Sequence, residues 1–408
     1  MIRIDSERAR RIAWLALWLY IAGLGISAVL RLQGDFLVYH RAGKAVLHGA
    51  AIYPPGESDR FLYAPIFAIA FAPLGLLSRH AAQGAWFIFN AWGFVAMLVG
   101  SGIMLFGRER RLSAALLAVP VVLSLRFIGN NIEHGQINLP VLALCIWSII
   151  YARENRTWRS GAMLATAILV KPFAVLAALY LLLRQKWAPL LWSVVATVAL
   201  FLLPIVVFGP AGLIEQTSGY LHSVASMTGS YRTMVTNQSA VSAIARLMAT
   251  FGDAASAEGD VPFQLGMALE LILIALVSVW TVRSARPEEK NSAKPADRYA
   301  LAAFFCVMPA FAPISWRSYF AALVVPYMLL TDDLWEQRRP SPIAWALVAI
   351  SIILNFIPGR HLGRVALYYS ANFLSSMAVM GAVAALAFDT TSPEVASAPI
   401  SGQADRGG

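Results

Sequence analysis

The stretch GAMLATAILVKPFAVLAALYLLL (residues 161–183) holds a single charge in twenty-three residues, and a proline follows that charge. An apolar run of this length spans a hydrocarbon layer of about 30 Å as a helix rising about 1.5 Å per residue. Proline has no N–H to donate and pushes the preceding residue out of the helical region. Lys171-Pro172 therefore divides the run, and two readings stand: one kinked span, or two half-helices meeting at an apex. The flanks RENRTWR (153–159) and RQK (184–186) are both basic. Basic flanks mark the cytoplasmic side, so half-helices with Lys171 at an outward apex satisfy both. Broken helices with a charge at membrane depth normally line a site.

Similar apolar runs recur along the chain. Candidate spans are 13–30, 84–106, 112–128, 138–152, 161–183, 188–208, 263–283, 299–314, 317–331, 342–358 and 366–387. Of the 408 residues, 59% are hydrophobic and 13% charged, which excludes a soluble enzyme and predicts an all-α polytopic bundle of about 10–12 transmembrane helices. The formal charge of +10 does not point to nucleic acid, because the basic residues form short clusters beside apolar runs, as at RARR (8–11) and RERR (108–111). Cys145 and Cys306 lie inside such runs and imply no disulfide framework. The first run is long and no small-residue cleavage pattern follows it, so it is expected to stay as a helix.

Arg3, Arg8, Arg10 and Arg11 place the amino terminus in the cytoplasm. The segment FLYAPIFAIAFAPLGLL (61–77) is short and interrupted by Pro65 and Pro73, so it is expected as a re-entrant or surface helix. A first outer loop then covers 31–83 and a long outer loop 209–262, within one transmembrane domain of residues 1–387. The tail 388–408 has a disordered composition. No inverted repeat of the transporter kind is apparent.

The first outer loop opens GDFLVYHRAGKAVLHG (34–49). On a helix after Asp35, Phe36, Tyr39, Gly43 and Val46 form an apolar stripe, while His40, Arg41, Lys44 and His48 form a cationic one that Gly49 ends. Cations on a membrane-surface helix suit a lipid phosphate; ordinary anionic lipids are the alternative partner. Asp35 reads as a helix N-cap. At the mouth of a membrane helix, partial desolvation also favours its taking up a proton, as a general base must. EHGQIN (133–138) gathers Glu133, His134, Gln136 and Asn138, donors and acceptors for sugar hydroxyls or simply a capped polar turn. Arg317 stands between Trp316 and Ser318, with Tyr319 beyond, and offers a phosphate donor beside aromatic surfaces. No CxxC, HExxH, Walker, nucleophile-elbow or EF-hand pattern is present; no metal ligands are assigned and no cofactor is expected, while metal dependence stays open.

Taken in order, these motifs resemble glycosyltransferase family 87, polyprenol-phosphate-dependent enzymes of the GT-C class that include mannosyl- and arabinofuranosyltransferases. GDFLVYHRAGKAVLHGAAIY is similar to the family's aspartate-bearing loop, FLYAP with Tyr63 to its F-x-Y-x-P, and GQIN to its G-Q-x-N. AILVKPF is similar to its Lys-Pro segment, NQS with Asn237, Gln238 and the later Arg246 to its N-Q-S element, and SWRSY to its S-W-x-H-Y. The resemblance implies a GT-C-like bundle in the plasma membrane with both termini cytoplasmic. It also implies an inverting transfer at the outer face, from a polyprenyl-phosphate sugar to a glycolipid or glycan acceptor, with Asp35 as base. Lys44, Lys171 and Arg317 are the candidate cations for the departing phosphate. The chain departs from the pattern at Ser318, where the family often has histidine. A flippase of lipid-linked saccharides and a non-catalytic envelope partner are the rival functions, the first because broken helices and a cationic cavity serve transport equally well.

Overall fold

The computed structural model describes residues 6–31, 34–54, 60–227, 231, 233–251, 260–284, 295–311, 314–357 and 360–389. Among these the regular elements are all helical. They are α1 (Ser6–Arg31), α2 (Asp35–Leu47), α3 (Pro65–Gly75), α4 (Arg79–Phe106), α5 (Ala114–Leu123), α6 (Leu125–Glu133), α7 (Asn138–Arg153), α8 (Thr157–Val170), α9 (Val175–Leu183) and α10 (Trp187–Leu202). The chain continues through α11 (Ile205–Met227), α12 (Ala240–Phe251), α13 (Asp260–Arg283), α14 (Pro295–Val307), α15 (Val324–Leu330), α16 (Pro342–Asn355), α17 (Arg360–Tyr368) and α18 (Ala371–Asp389). One buried apolar cluster runs from Leu17 to Ala387.

Within the described residues, Glu7–Arg31, Arg79–Phe106, Asp260–Arg283 and Ala371–Phe388 are each long and apolar enough to cross a membrane alone. Two further pairs qualify together but are bent, α5 with α6 by 67° and α10 with α11 by 86°. The protein is a multi-pass all-α membrane protein.

The basic clusters gather at one end of the bundle. Arg108 pairs with Glu154 at 2.5 Å, Arg153 with Asp297 at 2.7 Å, and Arg298 with Asp332 at 3.3 Å. Asp332 also takes Arg110, and Arg339 stands 3.7 Å from Asp333. Arg111, 3.8 Å from Glu7, ties the start of α1 to the same end. Asp332 and Asp333 are fully buried, where an unpaired carboxylate is costly, so the surrounding guanidiniums are what make the site tolerable.

Lys171 sits at the opposite end. It takes an extended conformation (φ −141°, ψ 115°), a 3₁₀ turn spans Pro172–Ala174, and α9 begins at Val175. α9 then runs back to the ion-pair end. Its Tyr180 hydroxyl accepts a 3.0 Å bond from Arg153 at the end of α7, and Arg184 lies 3.7 Å from Asp297. The start of α8 follows Arg153 closely, so both flanks of the run share one end. Residues 161–183 are therefore two half-helices with Lys171 at the apex, not one kinked span.

α3 has 11 residues, about 16 Å at about 1.5 Å per residue, too short to cross. Pro65 opens it and Pro73 lies within it. It lies against α2, so closely that a Cβ added at Gly43 would meet the Phe71 carbonyl oxygen at 2.7 Å. Several boundaries differ from the sequence reading. The span expected at 112–128 breaks at Ser124 into α5 and α6, the latter reaching Glu133. The run 317–331 begins as a 3₁₀ helix (Arg317–Leu323) before α15 and passes into a π-helical turn at Thr331–Glu336. The expected long loop 209–262 is largely helical, because α11 crosses Gly209 (φ 71°) and Pro210 at a kink and α12 follows the NQS element. The tail from residue 390 onward lies outside the described residues.

Candidate functional site

The site is assembled on a pair of close backbone approaches. Gly34 has φ 79°, a conformation that costs other residues about 1–2 kcal/mol, and a Cβ there would stand 2.4 Å from the His134 carbonyl oxygen. The absent side chain lets the Asp35 N–H donate to that oxygen at 2.9 Å. Gly135 (φ 64°) answers from the other side, where a Cβ would meet that of Phe36 at 2.7 Å. Asp35 is thus the first residue of α2 with Gly34 as its cap, one position later than the N-cap the sequence suggests. Trp86 Nε1 donates to the Gly135 carbonyl at 2.7 Å, and Asn131 donates to the Gln136 carbonyl at 2.9 Å. The Gln136 side-chain oxygen accepts from Asn138 Nδ2 at 2.7 Å and from the Ser318 hydroxyl. EHGQIN is therefore a rigid turn that docks the start of α2 and the 3₁₀ helix together.

Beside Asp35 runs a chain of hydroxyls ending on an ammonium. The Tyr39 and Tyr63 hydroxyls share a 2.5 Å hydrogen bond, and Lys171 Nζ donates to Tyr319 at 3.0 Å while lying 4.7 Å from the Tyr63 ring centre. Burial pushes the Tyr63 hydroxyl up to about 12, with the Lys171 charge opposing and the Asp35 charge adding. Burial likewise raises Tyr39, with Tyr63 and Asp35 adding to the effect. Lys171 is only 9% exposed, and among the described residues no carboxylate pairs with it. A buried cation held by neutral hydroxyls and ring faces is set up to receive an anion.

These groups face a cavity of about 770 Å³, within the range of small-molecule sites. Of the residues singled out in the sequence, Asp35, Tyr63, His134, Gln136, Lys171, Trp316, Arg317 and Tyr319 line it. Asn138 is buried behind Gln136. Asn237 and Gln238 brace the walls: Asn237 Oδ1 accepts from the Ser315 N–H at 2.9 Å, and Gln238 donates to the Leu367 carbonyl at 2.8 Å while accepting from Asn372 at 3.2 Å. Glu133 is exposed and outside the lining.

The cationic stripe of α2 does not face the cavity. His40 is buried, its ring 5.7 Å from Phe36 and its Nε2 3.3 Å from the Leu77 carbonyl at the end of α3. Lys44 is exposed away from the cavity, and His48 Nδ1 turns back to the Lys44 carbonyl at 2.8 Å. The stripe is split because α3 covers one side of α2 and takes His40 with it. The apolar stripe behaves as expected, with Phe36, Tyr39 and Gly43 buried.

Several polar residues at or beside the site escaped the sequence reading, among them Tyr39, Arg60, Asn130, Tyr220 and Glu270 in the lining and Arg126 outside it. Tyr39, placed among the apolar stripe, contributes its hydroxyl to the chain beside Asp35. Glu270 is 1% exposed in the cavity wall, and Arg126 lies on α6 near Arg317. Glu270 and Arg126 carried a signal, since each is a lone charge inside an apolar run. Among the described residues no three His, Cys, Asp or Glu side chains come together to hold a metal ion.

The profile of glycosyltransferase family 87 matches residues 61–313, more than half of the chain. The protein belongs to glycosyltransferase family 87. The matched stretch contains Tyr63, EHGQIN, Lys171 and the NQS element, and begins after Asp35. This family-87 protein is 28% identical over 382 residues to a polyprenol-phosphate-mannose-dependent alpha-(1-2)-phosphatidylinositol mannoside mannosyltransferase of Mycolicibacterium smegmatis, across 83% of this chain and 81% of the relative. It is 23% identical to a polyprenol-phosphate-mannose-dependent alpha-(1-2)-phosphatidylinositol pentamannoside mannosyltransferase of Mycobacterium tuberculosis, across 82% of this chain and 74% of the relative. An alpha-(1->3)-arabinofuranosyltransferase of Corynebacterium glutamicum is 24% identical over 46% of each chain. The family-87 protein is a membrane glycosyltransferase.

Proposed function

We propose that this glycosyltransferase moves a mannose- or arabinofuranose-like sugar from a polyprenyl-phosphate donor to a glycolipid or glycan acceptor, with inversion and with Asp35 as general base. The observation that carries this reading is the presence, in one cavity, of the Asp35 carboxylate and of Lys171, a buried cation without a carboxylate partner. Asp35 removes the proton from an acceptor hydroxyl as that oxygen attacks the anomeric carbon, and the lipid phosphate departs. A single displacement of this kind needs one carboxylate and no covalent sugar–enzyme intermediate.

Charge grows on the leaving phosphate as the bond breaks, and cations already in place lower the barrier without reorganising. Lys171, oriented by Tyr319 and by the ring of Tyr63, fills that role, together with Arg317. The rigid 134–138 turn keeps Asp35 at a fixed distance from both, and His134 and Gln136 offer partners for sugar hydroxyls. Where the family often has histidine in S-W-x-H-Y, Ser318 is buried against Gln136 and Asn138, which supports Arg317 as the group that meets the phosphate. The positive-inside rule assigns the ion-pair end to the cytoplasm, so the cavity opens outward and sugar is delivered to the envelope side. The polyprenol-phosphate-mannose and phosphatidylinositol mannoside dependence of the mycobacterial relatives suggests the first donor and acceptor to try.

Mass spectrometry of lipid-linked sugars and envelope glycans with and without the protein tests this. Accumulation of one polyprenyl-phosphate sugar and loss of one glycan linkage are expected. Identical profiles would refute the transferase reading.

A further inference from the structure

Lys171 is not the only cation at this cavity that forms no ion pair among the described residues. Arg317 lines the cavity, and its Nε is buried with no hydrogen-bond partner among the described residues. Its neighbour in charge is another arginine, Arg126, on the helix α6 that packs along the 3₁₀ helix opened by Arg317. Arg126 makes a 2.8 Å bond from NH1 to the Asn355 carbonyl, a neutral acceptor, and no salt bridge forms at either arginine among the described residues.

Arg126 is not itself among the lining residues, but helical geometry puts it on the face of α6 that borders the cavity. On α6, positions 126 and 130 lie one turn apart and share a face, and both Asn130 and His134, the residue that closes the helix, line the cavity. α6 packs along the 3₁₀ helix that starts at Arg317, with Phe127 and Phe320 rings 5.7 Å apart. α17 closes over the other side, where a Cβ added at Gly363 would lie 3.9 Å from the Arg126 NH2. The charged and titratable side chains described on that helix are His361, Arg364 and Tyr368, with no carboxylate among them.

Two guanidiniums on packed helices, with no carboxylate partner among the described residues, repel each other, and both lose hydration where they are partly buried. A phosphate relieves both costs at once, because its oxygens accept from two planar forks. We infer that Arg126 and Arg317 form a paired-guanidinium site for the phosphodiester of a lipid-linked substrate, distinct in residues from the Lys171 and tyrosine cluster. The ligand is the donor's polyprenyl phosphate or the phosphate of a phospholipid-type acceptor head group. This inference rests on the transferase reading for its substrates. Its binding arm does not need turnover.

The test uses the full-length protein in detergent or nanodiscs with the variants Arg126→Gln and Arg126→Lys. Gln keeps an amide donor for the Asn355 carbonyl while removing the charge; Lys keeps the charge but not the fork. Direct binding of polyprenyl phosphate is measured alongside KM for polyprenyl-phosphate mannose and for phosphatidylinositol mannoside. For Arg126→Gln, KM for one of the two lipids rises about ten- to hundredfold while kcat changes far less, and Arg126→Lys recovers part of it. If the donor phosphate is the ligand, polyprenyl phosphate binding weakens by a similar factor; if the acceptor phosphate is the ligand, only the acceptor KM moves. Unchanged binding and unchanged KM for both lipids, with only a lower melting temperature, would make Arg126 a brace for Asn355 and overturn the inference. A wild-type protein that binds polyprenyl phosphate through Arg126 yet transfers no sugar would uphold the site and sink the transferase reading.

Discussion

Replacing Gly34 by alanine tests how Asp35 is held. At φ 79° an alanine carries a backbone strain of about 1–2 kcal/mol, and its Cβ would overlap the His134 carbonyl oxygen at 2.4 Å. That oxygen belongs to the rigid 134–138 turn, so the start of α2 must give way. The Asp35 N–H bond to the same oxygen, 2.9 Å long, is then lost or lengthened at a further cost of about 0.5–1.5 kcal/mol. Together these give about 1.5–3.5 kcal/mol of destabilisation. A shift of about 1 Å in a reacting group lowers a rate by about a hundredfold, so activity should fall far more than stability suggests. The control is Gly49→Ala, where φ is 63° but nothing lies within 4 Å of an added Cβ; it carries the strain alone and sits outside the cavity. Thermal melting in detergent and sugar transfer are measured for both. Equal melting and equal transfer for the two variants would refute the reasoning that the Gly34–His134 contact positions Asp35.

Lys171→Met should lower kcat by about a hundred- to thousandfold, the usual loss when one donor to a developing anion is removed, with steady-state transfer as the assay; retention of wild-type kcat would remove Lys171 from the phosphate. Ser318→His, which restores the family's commoner residue, should not improve the enzyme. Ser318 is fully buried between Gln136 and Asn138, so the ring overpacks the site at a cost of about 1–3 kcal/mol, and melting should fall. His40 is buried, and burial lowers its imidazole below the usual 6.5. A lowered folded value means the neutral form is favoured, so its stabilisation is complete above 6.5 and fades as pH falls through the folded value. Melting followed from about pH 7 to about pH 5 should drop less steeply in His40→Gln than in wild type.

Much of the fold can be read from residues that obey a backbone rule. Lys171-Pro172 forces a break, and the basic clusters at 153–159 and 184–186 make a half-helix hairpin one of two readings, between which the contacts of Tyr180 and Arg184 with the ion-pair end decide. Pro65 and Pro73 shorten α3 in the same way. The bend at Ser124 was not legible, because it lies inside the apolar run 112–128 and the packing of α5 and α6 against α1 and of α6 against the 3₁₀ helix leaves no mark in the sequence. Within the site, Asp35, EHGQIN and SWRSY announced themselves as polar residues in a charge-poor chain. The α2 stripe misled for a different reason. Periodicity gives the faces of a helix, but not which neighbour covers each; α3 buries His40 and leaves Lys44 in the open. Asn237 and Gln238 stood out only through the resemblance to the family's N-Q-S element, and the contacts reveal them as braces for the wall that carries Trp316 and Arg317.

The most direct measurement is sugar transfer by purified Asp35→Asn protein supplied with a polyprenyl-phosphate sugar and an acceptor, with donor binding followed in parallel. Asparagine keeps the size of the side chain and removes its ability to take a proton. Transfer should fall by about a hundred- to ten-thousandfold while donor binding stays close to wild type, because the phosphate contacts are elsewhere. Full transfer by Asp35→Asn would contradict the assignment of Asp35 as the base.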